Sequence, residues 1–178
     1  FDWSSNIINY SVKPEFTYYM NQNNTMHFGG QVIYYNFKPG KAVVTQASGE
    51  KSDFGLDAKY GVESAVYFDN EQKFGKRFSM QYGLRYSLFN YMGAGTSYTY
   101  YDTIPNYRKR LKDEKTFGDW ETIKQYGNFE PRLSMKYEVT DESSVKASYN
   151  RMAQYLHLVS NTAAATPFDI WTPATNNI

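Results

Sequence analysis

Apolar and polar side chains alternate with a period of two through six stretches of the chain. That spacing puts successive residues on opposite faces of a β-sheet. In the first stretch Ile8, Tyr10, Val12, Pro14, Phe16, Tyr18 and Met20 share one face, and Asn9, Ser11, Lys13, Glu15, Thr17 and Asn21 the other. The second sets Met26, Phe28, Val32 and Tyr34 against Thr25, His27, Gln31 and Tyr35. In the third, Leu56, Ala58, Tyr60, Val62, Val66 and Phe68 oppose Asp57, Lys59, Glu63 and Asp69. The fourth opposes Phe78, Met80, Tyr82, Leu84, Tyr86 and Leu88 to Arg77, Ser79, Gln81, Arg85 and Ser87. A fifth runs through Leu133, Met135, Tyr137 and Val139, opposed by Glu130, Arg132, Ser134, Lys136 and Glu138. The sixth, Val145, Ala147 and Tyr149 against Lys146, Ser148 and Asn150, loses phase at Arg151, where a bulge or the strand's end is expected. Pro14 removes a ladder donor and is tolerated only at an edge or a bulge.

The cleaner stretches outrun the ~5–6 residues of soluble strands and meet the ~9–11 that a tilted membrane strand needs. Met20 to Asn24, Asp69 to Gly75 and Thr140 to Ser144 read as tight turns, whereas Lys38 to Asp53, Gly93 to Tyr126 and Val159 onward read as long polar loops. Short turns at one end and long loops at the other are how outer-membrane barrels are built, the short ones periplasmic. The expectation is therefore all-β: a transmembrane antiparallel up-and-down barrel in the cell outer membrane, with residues 1–178 as a partial barrel domain. About six strands cannot close such a barrel, for which the smallest has about eight. Both termini, Phe1 and Ile178, read as cuts.

Composition fits this pattern. Aromatics make up 19% of the residues, with 18 Tyr and 12 Phe, although the mean hydropathy is a polar −0.68. Alternation reconciles the two, and aromatic girdles at the membrane interfaces raise the Tyr and Phe count. No apolar run reaches the ~18 residues of a transmembrane helix. A net charge of +1 gives no case for a nucleic-acid partner. Cysteine is absent, so no disulfide or zinc cluster constrains the fold. A soluble lipocalin-like barrel or carbohydrate-binding sandwich would alternate too, with shorter strands and more even loops.

No catalytic, cofactor-binding or metal-ligating constellation is found, and an enzyme is not expected. His27 and His157 fall on different strands and read as a polar wall residue and a rim hydrogen-bonding group. Gly93-Ala94-Gly95-Thr96-Ser97 lacks the lysine of a phosphate loop and reads as a flexible loop entry. The face carrying Lys13, Glu15, Asp57, Lys59, Glu63, Arg77, Arg85, Glu130, Arg132, Lys136 and Glu138 is the expected lumen side, its charges pairing across neighbouring strands. The run Arg108 to Lys115 is expected to be a solvated loop face. Tyr98, Tyr100, Tyr101, Tyr107, Trp120 and Trp171 are expected to pack the loops against one another.

Several segments resemble TonB-dependent outer-membrane receptors: Phe37-Lys38-Pro39-Gly40 capping the second strand, Glu63 to Asp69, Tyr82 to Ser87, Glu130 to Ser134 with Ser144 to Arg151, and Pro167 to Pro173. The resemblance implies a barrel of about 22 strands holding a plug domain. It implies import of a large nutrient (a siderophore, cobalamin, oligosaccharide or peptide) driven by an inner-membrane energy-coupling complex. Neither a plug nor a coupling box is found in this sequence. The alternatives are a non-transporting barrel serving an envelope assembly and a soluble carbohydrate-binding β domain.

Overall fold

The computed structural model describes residues 2–45, 51–55, 57–101, 110–159 and 170–174, and these are all-β, antiparallel and free of helix. The strands are β1 (Asp2–Val12), β2 (Glu15–Asn21), β3 (Asn24–Thr45), β4 (Lys51–Gly55), β5 (Lys59–Phe74) and β6 (Phe78–Met92). They continue with β7 (Gly95–Tyr100), β8 (Leu111–Phe117), β9 (Thr122–Glu138), β10 (Ser144–Asn150), β11 (Leu156–Val159) and β12 (Ile170–Pro173). One sheet runs in the order β1-β3-β5-β6-β9-β10, a sequential meander curled into a half-barrel. β1 and β2 both pair with β3 and form a single crossing, interrupted at Lys13 and Pro14. The interruption follows from proline chemistry: Pro14 offers no N–H, and its carbonyl instead accepts from Gly30 N at 3.1 Å.

Each of the six alternating stretches is one crossing of this sheet. β6, at 15 residues, spans about 50 Å along the strand. β10 ends at Asn150, where the alternation breaks. The connections depart from expectation in several places. β3 does not stop at Phe37–Gly40 but continues to Thr45 and pairs with β4, so much of Lys38 to Asp53 is hairpin. The Gly93 to Tyr126 stretch holds the β7–β8 hairpin and the start of β9, so Gly95, Thr96 and Ser97 are strand residues. Lys112 to Lys115 are likewise in β8, while Arg108 and Lys109 lie outside the described residues. The turn after β5 is Gly75–Arg77, because the ladder runs down to the Phe74↔Phe78 pair. In each case backbone pairing, which any residue with an N–H and a C=O can make, extends the ladder into residues that read as turn or loop. Of the third stretch, Leu56 lies outside the described residues, as do Tyr107 and Pro167 to Asp169.

Register joins the crossings into two continuous surfaces. Tyr10 faces Tyr34, Tyr34 faces Val62, Phe28 faces Phe68, Phe68 faces Leu84, Leu84 faces Pro131 and Met135 faces Ala147. Paired residues share a face, so the six separately read apolar sides are one side of one sheet. The opposite side carries Glu63, Arg85 and Glu130, together with Tyr35, Phe37 and Phe89.

Candidate membrane surface and inner wall

The apolar side is the exposed one. Val12 is 70% accessible, Val66 63%, Phe129 60% and Leu84 47%. Among the described residues no strand packs over this side, whose centre is Phe, Val and Leu. Along β5 the aliphatic and phenyl positions Val62, Val66 and Phe68 lie between Tyr60 and Asn70. Amides bound the band at the hairpin end as well, where Gln125 Nε2 donates to Asn90 Oδ1 at 2.7 Å. The same edge has a row of rings across three strands, Tyr10 stacked on Tyr34 at 6.5 Å and Tyr34 on Tyr60 at 6.4 Å. Trp120, expected to pack loop against loop, instead folds down to join this row. At the tight-turn edge Phe74 and Phe78 meet at 5.6 Å beside Tyr137. A shallow depression of about 420 Å³ interrupts the band, lined by Val12, Pro14, Gly30, Val32, Val66 and Leu88 among others. It forms where Gly30 and Ser64 supply little side-chain volume.

The inner side holds the charged hub. Arg85 donates through Nη2 to Glu63 Oε1 at 3.1 Å and through Nη1 to Gln31 Oε1 at 3.0 Å, and its Nε lies 3.8 Å from Glu130 Oε2. One guanidinium thus ties β3, β5, β6 and β9 together, its planar fork matching partners on both neighbouring strands. Pairing across strands, expected of the whole lumen side, holds here. Lys13–Glu15 at 3.3 Å and Lys136–Glu138 at 2.6 Å instead pair two residues apart on the same chain segment. In those pairs the opposite charge two residues along already lies on the same face. His27 lies on this side within reach of Thr17 Oγ1 at 3.1 Å, and His157 is in β11 opposite Thr172. Among the described residues no group of three or more His, Asp or Glu side chains gathers to hold a metal ion.

Toward the hairpin end the inner side turns apolar. Tyr35, Phe37 and Phe89 are buried there with Tyr155, flanked by Ile7, Ile33, Tyr91, Tyr126, Ala153 and Leu156. The cover comes from the stretch after β10 and from the β11–β12 hairpin, which folds inward rather than out. Lys59 Nζ donates to Thr172 Oγ1 at 3.4 Å, and β12 lies against β3 and β5. Of the stretch from Val159 onward, read as a long polar loop, Ile170–Pro173 are instead strand and lie against the inner side of the sheet. The period-two reading missed the cluster, although its signal was present: Ile33, Tyr35, Phe37, Phe89 and Tyr91 are apolar on the otherwise polar phase.

Comparison with protein-family models, with curated proteins and with solved structures gives no match for this chain.

Proposed function

We propose that the chain is wall of an outer-membrane β-barrel, its exposed apolar side against lipid and its charged side toward a lumen. More particularly, we read it as a part of a TonB-dependent receptor for a large nutrient, with a plug domain and an inner-membrane coupling complex as partners. One observation carries the membrane reading: six crossings place their apolar residues on a single continuous surface that is exposed, while the charges and the packed core lie behind it. In a soluble sandwich the apolar surface is the one that a second layer buries. Exposed apolar patches on soluble monomers rarely exceed a few hundred Å². The band between amide- and tyrosine-bearing edges has the arrangement of aromatic girdles flanking hydrocarbon. The receptor assignment rests on the sequence resemblance, and the import role follows from it. The wall itself supplies no catalytic group in this reading.

The test is solubility and order of the chain in two media. In plain buffer it should sediment as aggregate, because the apolar side and the outer strands' backbone groups are uncovered. In detergent micelles or lipid vesicles it should give β-sheet circular dichroism and protected amides. A stable, exchange-protected monomer in buffer would overturn the membrane reading and put a soluble carbohydrate-binding domain first.

A further inference from the structure

Tyr155 is only 5% exposed, although it belongs to a connecting stretch with no ladder of its own. Its ring lies parallel to Phe89, with centroids 5.2 Å apart and planes 7° from parallel. Its hydroxyl is 2.7 Å from Ser87 Oγ and accepts from Asn128 Nδ2 at 3.0 Å. Ser87 in turn donates to Glu130, which faces Arg85. Among the described residues the stretch is otherwise attached through the backbone by Arg151 N to Pro131 O at 3.1 Å and Ala174 N to Tyr155 O at 2.8 Å.

The two sides of this contact differ in how they are held. Phe89 and Ser87 are in β6, and Asn128 and Glu130 in β9, paired along an extended ladder. Arg85 orients Glu130 without help from the tyrosine. The backbone that carries the receiving groups is therefore held by strand pairing rather than by Tyr155. They recognise a ring by its face and a hydroxyl by both its lone pair and its proton. Left empty, Ser87 Oγ would lose one of its two partners and the half-buried Asn128 amide its acceptor, so the site favours an occupant that replaces them.

We propose that Ser87, Phe89, Asn128 and Glu130 form a phenol-binding site on the inner wall, with Tyr155 as its built-in occupant. A ligand bearing a free phenol ring competes for the site and, on binding, releases the stretch that covers Tyr35 and Phe37. The inference does not depend on what covers the outer surface, so its failure would leave the membrane reading standing.

The experiment uses the full chain with Tyr155→Ala in detergent micelles, titrated with p-cresol, toluene and N-acetyl-tyrosinamide by isothermal calorimetry. Binding of p-cresol at least about tenfold tighter than toluene is expected, since toluene fills the ring space but restores neither the bond to Ser87 Oγ nor the bond from Asn128. Adding Ser87→Ala should abolish that preference. Equal binding by N-acetyl-tyrosinamide would identify a peptide tyrosine as an acceptable source of the phenol, and its exclusion would restrict the site to small phenols. Equal affinity for p-cresol and toluene, or no binding of either, overturns the proposal. Should the alanine chain not fold, the parent chain decides the matter. Saturating p-cresol, but not toluene, should accelerate tryptic cleavage after Arg151 several-fold, and an unchanged rate overturns the proposal.

Discussion

The Trp120 ring stacks on Tyr34, centroids 5.6 Å apart, although Trp120 belongs to the turn between β8 and β9 and Tyr34 to the middle of β3. Trp120 holds φ at 63°, a left-handed conformation uncommon outside glycine. Its backbone N–H reaches Gly93 O at 3.2 Å, and the turn aims the indole down the outer side of the sheet. A ring with an apolar body and one N–H suits the boundary between hydrocarbon and water. In a variant retaining Trp120 alone, with Trp3 and Trp171 replaced by Phe, lipids brominated near the headgroup end should quench fluorescence more than lipids brominated at the chain tip. Equal or absent quenching would remove Trp120 from the proposed girdle.

Charge on the outer side should be costly and charge on the inner side should not. If the outer side meets lipid as proposed, Leu84→Arg, at the middle of β6, is expected to destabilise the chain by about 2–4 kcal/mol. Gln81→Arg should cost far less, because Gln81 already donates to Asp69 Oδ1 at 2.9 Å and an arginine there gains an ion pair. Urea unfolding of the full chain in lipid vesicles measures both. Equal losses would mean that the two sides had been assigned wrongly.

Arg85 is the one cation facing both Glu63 and Glu130 within the described hub. Arg85→Met leaves two carboxylates in a poorly hydrated place, at an expected cost of about 3–5 kcal/mol. Adding Glu63→Gln and Glu130→Gln to Arg85→Met should recover part of that loss. The comparison is made by equilibrium unfolding midpoints of the parent, the single variant and the triple variant. A neutral Arg85→Met would show that the hub is hydrated.

Two adjacent glycines should respond differently to one methyl group. A Cβ at Gly29 would come within 2.5 Å of the Pro14 carbonyl oxygen and 2.6 Å of the Tyr67 hydroxyl. Gly29→Ala is therefore expected to cost about 1–3 kcal/mol through forced displacement of the neighbouring strand. At Gly30 the nearest atom, Ala65 O, is 3.5 Å away, and alanine should change stability by no more than about 0.5 kcal/mol. Thermal unfolding of both variants in micelles checks the ranking.

The tight turns should face the periplasm and the β7–β8 hairpin the cell exterior. Lys76→Cys lies in the Gly75–Arg77 turn, whereas Glu114→Cys lies on exposed β8. A membrane-impermeant maleimide should label the second cysteine on intact cells and the first only after the outer membrane is breached. Asn70, which local spacing places close to the turn, would be a poor probe because it is 1% exposed and donates to Tyr82 Oη at 2.8 Å. The opposite labelling pattern would invert every strand direction.

Local alternation in the sequence was enough to find the six crossings and to place Leu84 and Gln81 on opposite sides. Period two is a property of a single strand, visible without its neighbours. Which strands pair, and in what register, depends on contacts distant in sequence. Only the tertiary structure therefore decided that Tyr10, Tyr34, Val62, Leu84 and Met135 lie on one surface. It also decided where the strands end, since pairing of β3 with β4 and of β7 with β8 carries the ladder into residues that read as loop. The inner cluster lay furthest from local reading. Arg85 gathers partners from β3, β5 and β9, and Tyr155 reaches Ser87 and Phe89 across more than sixty intervening residues. No local pattern encodes a contact that exists only when a chain stretch folds back over a sheet already formed.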